Sequence, residues 1–102
     1  MYLVQLLLPL LDNENHPFPG SEFDRVRNEL TERFGGATAF LCSPASGVWK
    51  EDNGETAQDE IVIFEAMDDD LDRDWWRNYR AELERRFRQD EVVVRALAFE
   101  PL

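Results

Sequence analysis

Tyr2-Leu3-Val4-Gln5-Leu6-Leu7-Leu8-Pro9-Leu10-Leu11 opens the chain, and its two alternations decide the fold. One alternation carries Tyr2, Val4, Leu6, Leu8 and Leu10; the other carries Leu3, Gln5, Leu7, Pro9 and Leu11. A strand turns successive side chains to opposite faces, so a strand with one wet face shows one polar set. Neither set is polar here, which predicts a central strand packed on both sides. The stretch is too short to cross a bilayer as a helix, which takes about 20 apolar residues. No charged leader or small-residue cleavage site accompanies it, and the sequence reads as soluble and unprocessed.

Working outward, the apolar period changes from two to that of a helix and back. After a loop at 12–20, Phe23, Val26, Leu30 and Phe34 recur on one narrow stripe, predicting a helix over 21–34. Ser21 with Asp24 reads as an N-terminal cap, and Gly35-Gly36 as the left-handed stop. Period-two segments follow near 37–42 and 60–66. Between them, Asp52-Asn53-Gly54 marks a turn in a short hairpin near 47–60. Trp76, Tyr79, Leu83 and Phe87 define a second helix within 71–88, and an aliphatic strand at 91–99 ends the pattern. That order, βαββαβ, is the split βαβ or ferredoxin-like arrangement, an antiparallel four-stranded sheet with two helices on one face. Residues 1–102 form one such α+β domain, since this length supports a single core. The topology leaves the other sheet face for a ligand, a partner or a second copy to cover.

Composition narrows the function classes. The formal net charge of −11 opposes a nucleic-acid surface, which must neutralise phosphates with Lys and Arg. RNA-recognition modules share this element order, but they place aromatic and basic residues on the open face. Here the last strand is aliphatic, so no nucleic-acid partner and no membrane partner are expected. Ten acids and no base lie between Glu51 and Asp72, and six arginines follow within 73–88. Most of this suits a solvated acidic loop and a dipole-complemented helix. An acidic hairpin beside Trp75 could also meet a basic protein. The single cysteine, Cys42, allows no internal disulfide, fits a reducing cytoplasm, and reads as a small strand hydrophobe.

No enzyme signature is present. His16 is alone, with no second histidine or cysteine near enough to build a metal site, and it reads as a solvated loop residue. Asp68, Asp69, Asp70 and Asp72 lack the spacing of a calcium loop and read as a helix start. No metal and no cofactor are expected. Gln5 is a polar amide inside an apolar strand, where it needs either a neighbouring strand or a ligand to bond it. Trp49 and Trp75 sit off the centre of any apolar stripe and are the interface candidates. Trp49 in particular, in polar surroundings, is predicted to be buried against the second helix or another subunit. On that reading Trp49→Ala costs about 3–5 kcal/mol if it is core.

Arg33-Phe34-Gly35-Gly36-Ala37-Thr38, Gly47-Val48-Trp49, Tyr79 and Arg86-Phe87-Arg88-Gln89-Asp90-Glu91-Val92 together show a wider pattern. They resemble a family of small uncharacterised bacterial proteins with the pattern RF-x-G-x-T, G-x-W and Y…F-x-Q-x-x-V. The arrangement also resembles the dimeric α+β barrels, in which two such sheets pack face to face. The double alternation of strand one and the aliphatic last strand predict a homodimer or higher homo-oligomer formed through the open face, as that resemblance also implies. Some members of that superfamily are cofactor-independent monooxygenases and others degrade haem, which implies the alternative of a small-molecule enzyme, monooxygenase- or isomerase-like. Gln5, Trp49, Tyr79 and Gln89 are then the ligand-pocket candidates.

Overall fold

The computed structural model describes the backbone of residues 1–42, 48–50, 56–58 and 60–102, and the side chains of 1–41 and 60–102. The elements run β1 (Tyr2–Pro9), α1 (Gly20–Phe34), β2 (Thr38–Cys42), β3 (Val48–Lys50), β4 (Thr56–Gln58), β5 (Ile61–Asp68), α2 (Arg73–Arg86) and β6 (Val93–Ala98). Four strands form one sheet in the order β2-β5-β1-β6, every neighbouring pair antiparallel. β3 and β4 form a separate two-stranded ribbon. This is the ferredoxin-like α+β fold, with the β3–β4 ribbon where the short hairpin is expected; the turn expected at Asp52-Asn53-Gly54 lies outside the described residues.

The two helices cover one face, and the alternation of β1 decides what they bury. Val4, Leu6 and Leu8 are buried, together with Phe64 and Ala66 of β5. Val26 and Leu30 of α1 and Trp76, Tyr79 and Leu83 of α2 close over them. Phe87 and Val92, just beyond α2, complete this core. The opposite alternation of β1, Leu3, Gln5, Leu7 and Pro9, is half-buried within one copy of the chain. The helix stripes read from the periodicity are therefore the packed ones, with Phe23 and Phe34 at the margin.

Local signals locate the helix ends unevenly. Gly35 ends α1 in the left-handed region, φ 82°, its N–H donating to Thr31. The start of α1 differs from the expected Ser21 cap: Pro19 is the N-cap, no side chain bonds the first turn, and Ser21 lies inside the helix. Proline's fixed φ suits the extended cap geometry, φ −57° and ψ 142°, and its carbonyl accepts from Glu22 N at 3.0 Å. α2 is capped by Asp72, whose carboxylate accepts from Trp75 N at 3.1 Å. Phe18, unmarked by any stripe, is buried by a tight loop in which Phe18 N donates to Leu10 O at 3.1 Å. Its ring meets Phe87 edge-on at 5.0 Å. Among the described residues no helix is long and apolar enough to cross a membrane.

Candidate functional site

The register of the sheet assembles the candidate site on the face away from the helices. Leu3 stands opposite Met67 and Leu97, and Leu7 opposite Ile63 and Val93; Ile63 in turn stands opposite Phe40. These side chains point to the same face because directly paired residues share a side of the sheet. Four of them are strongly exposed: Phe40 46%, Met67 59%, Val93 45% and Leu97 47%. With neighbouring strands about 4.8 Å apart, the apolar face is about 15 Å wide.

One polar row crosses that face through its middle. Gln5 pairs with Glu65 on one side and Arg95 on the other, and Glu65 pairs with Thr38. Gln5 Nε2 donates to Glu65 Oε2 at 2.6 Å, and Arg95 Nε donates to Gln5 Oε1 at 2.7 Å. The amide can bridge these groups because it carries a donor at one corner and an acceptor at the other. A glutamate and an arginine flank it, so the row has charge at both ends and none in sum. Beside it, where the sheet meets the turn after α1, Leu3, Phe34, Thr38, Glu65 and Met67 line a hollow of about 460 Å³.

The other residues singled out in the sequence lie elsewhere. Tyr79 is buried between the helices, and its hydroxyl donates to Glu29 Oε1 at 3.1 Å. Arg86 joins them: Nη2 donates to Glu29 Oε2 at 2.8 Å, and Nε donates to Glu82 Oε1 at 3.0 Å. The Arg86 hydrogen bond holds the Glu29 carboxyl below its ordinary pKa, burial opposing it. Burial, then the Glu29 charge, pushes the Tyr79 phenol well above its usual value. The half-buried Glu82 is lowered to about 2, chiefly by the Arg85 guanidinium and then by Arg86. This network ties α1 to α2 and contains no group held ready for proton transfer near neutrality.

Gln89 closes the end of α2, its Nε2 donating to Phe87 O at 3.0 Å and its backbone N to Glu84 O at 2.9 Å. Trp75 is half-buried in an aromatic group on the helix layer, stacked on Tyr79 at 4.9 Å and edge-on to Phe34 at 5.4 Å. The Arg33 guanidinium lies over it, 4.3 Å from the ring centre. Trp49 is in β3, and its side chain, with the burial expected of it, lies outside the described residues. Of the four pocket candidates, Gln5, Tyr79 and Gln89 therefore stand in three separate places. Glu65 and Arg95 were missed from sequence; their only signal was a charge within each of two otherwise apolar segments.

No family model matches the chain, and no curated protein matches it. Two solved structures do. A phage SAM lyase in complex with S-methyl-5′-thioadenosine is 18% identical, with a TM-score of 0.61 over 94% of this chain and 79% of that one. A phage SAM lyase in the apo state is 15% identical, also with a TM-score of 0.61, over 94% and 78%. At these identities the likeness is one of fold, and the fold is the ferredoxin-like α+β arrangement.

Proposed function

We propose that this chain is a self-associating cytoplasmic domain whose open sheet face packs on the same face of a second copy, as in the dimeric α+β barrels. The observation that supports it is the make-up of that face, apolar across four strands and interrupted by one row without net charge. Monomeric proteins rarely leave so continuous an apolar patch uncovered. Its burial is worth about 25 cal/mol per Å² before the costs of association. A partner of the same sequence is favoured by the row itself. A two-fold axis along β1 sets the Arg95 end of one row over the Glu65 end of the other, and Gln5 over Gln5. Each copy then offers the other its complement, as an isologous contact requires.

Light scattering or sedimentation at micromolar concentration tests this. The expected mass is twice the 12.0 kDa of one chain. Val93→Glu with Leu97→Glu should return the protein to monomer while leaving its far-ultraviolet spectrum intact, because both side chains are already about half-exposed in one copy. A wild-type protein that stays monomeric would sink the reading.

A second reading, a small-molecule enzyme of the same architecture, draws support from the hollow beside Glu65 and from the phage SAM lyase of this fold. The hollow, about 460 Å³, falls within the range of about 300–1,000 Å³ usual for ligand pockets. Incubation with SAM, followed by chromatography for S-methyl-5′-thioadenosine, tests it directly. Release of that product above the no-protein rate, lost in Glu65→Gln, would favour this reading. No release would leave self-association as the function.

A further inference from the structure

The arginines of α2 and of the turn after it are unevenly neutralised, and the difference marks a second site. Arg85 pairs with Glu82, Arg86 with Glu29 and Glu82, and Arg88 with Asp12 at 3.4 Å. All three border a groove that also contains Glu22 and a fourth arginine, Arg25, so three of its four guanidiniums are answered by described carboxylates. On the first half of the helix the opposite holds. Arg73, Arg77 and Arg80 recur at spacings of four and three, which puts them on one side of α2. All three line a cleft of about 220 Å³ along β6, which Arg95 borders as well.

The floor of this cleft is apolar, formed by Leu71, Trp76 and Val94, and no carboxylate lines it among the described residues. Asp74 lies 3.3 Å from Arg77, and Asp68 accepts from Trp76 Nε1 at 3.1 Å; no described carboxylate stands within 4.0 Å of Arg73 or Arg80. Arg95 borders the cleft from the edge strand, but its side chain turns to the open face, where it donates to Gln5. Like charges at this helical spacing repel and reduce stability. The chain has twice as many acids as bases, 22 against 11, yet none of the described acids answers these two guanidiniums.

We propose that the cleft between α2 and β6 binds a small organic phosphate monoester, its dianionic head on Arg73 and Arg80 and its apolar body on Leu71, Trp76 and Val94. Two uncompensated guanidiniums match a dianion, where a single carboxylate would answer only one. Arginine's planar fork suits the paired oxygens of a phosphate. The volume is below the range of about 300–1,000 Å³ of larger ligand pockets, which sets a small body on the phosphate. The excess of acids elsewhere opposes a nucleic-acid backbone, whose many phosphates would meet it. The cleft is built within one copy of the chain, so it is independent of pairing through the open face.

Calorimetric titration with phenyl phosphate at low ionic strength tests the proposal, with inorganic phosphate and phenol as the two halves of the ligand. Phenyl phosphate should bind with Kd about 1 mM or tighter, and each half more weakly. Arg73→Gln with Arg80→Gln should weaken it by about tenfold or more, a loss of about 1.4 kcal/mol. Arg27→Gln, on an exposed arginine of α1 paired with Asp24, should leave it unchanged. Arg80→Gln alone should weaken binding severalfold, and it carries the test if the double variant fails to fold. No heat at millimolar phenyl phosphate, equal affinity in a folded Arg80→Gln variant, or inorganic phosphate binding as tightly as the ester would each overturn the proposal.

Discussion

Glu29 shows what one carboxylate does when two partners on another helix converge on it. Arg86 donates to it from a nearly buried side chain, 6% exposed, and Tyr79 donates from the core. The Arg86 bond lowers its pKa in the folded protein below the ordinary 4.5. A depressed carboxyl binds fewer protons folded than unfolded, so its contribution is complete above the unfolded value. It is lost as pH falls through the folded one. Urea unfolding should therefore show stability declining as the pH is lowered from about 4.5, and Glu29→Gln should flatten that decline. A variant with the same slope as the wild type would place the pH dependence elsewhere. None of this was legible in the sequence. Tyr79 was placed correctly on the packed stripe, but its hydroxyl partner is 50 residues away on a face of α1 that periodicity alone marks as solvated.

Helix α1 is bracketed by two glycines, Gly20 at its first position and Gly35 as its C-cap, whose replacement by alanine should act in opposite directions. An added Cβ meets nothing within 4 Å at either Gly20 or Gly35, so space does not distinguish them. Backbone geometry does. Gly35 has φ +82°, in the region where a side chain costs about 1–2 kcal/mol, and Gly35→Ala should destabilise by about 1 kcal/mol. Gly20 is the first residue of the helix with ordinary φ, and Gly20→Ala should stabilise by about 0.4–1 kcal/mol by narrowing the unfolded ensemble. Thermal melts of the two variants shifting the same way would refute the account. The stop at Gly35 was readable because glycine is favoured at such a position. The start was not, because Ser21-x-x-Asp24 offers the same local signature as a true cap. The tight loop that seats Phe18 in the core advances the N-cap to Pro19.

The open face carries no net charge, although the whole chain is strongly acidic. The chain carries −11, yet the row Glu65, Gln5 and Arg95 crosses the sheet with one charge of each sign. If two copies meet about an axis along β1, Arg95→Glu sets a carboxylate over the partner's Glu65 and should weaken association by about tenfold or more, since like charges brought together cost several kcal/mol. Adding Glu65→Arg to the same chain reverses the row and should restore the dimer. Sedimentation of the three proteins measures it, and a double variant as weak as the single one would exclude this axis.

The periodicities of the chain determined its elements and their order, and with them which stripes of α1 and α2 meet the sheet. They sufficed because amphipathic spacing is local: burial must repeat with the pitch of the helix or the pleat of the strand. The double alternation of β1 likewise marked the strand that lies between β5 and β6. Tertiary structure alone decided who answers whom. Gln5 finds Glu65 and Arg95 across 60 and 90 residues, because only the sheet order β2-β5-β1-β6 and its register make them neighbours. Arg73 and Arg80 share a helix face in the sequence, but it takes β6 beneath them to turn that face into a cleft. Side-chain partnership is a property of register and packing, and those are fixed only when the whole core closes.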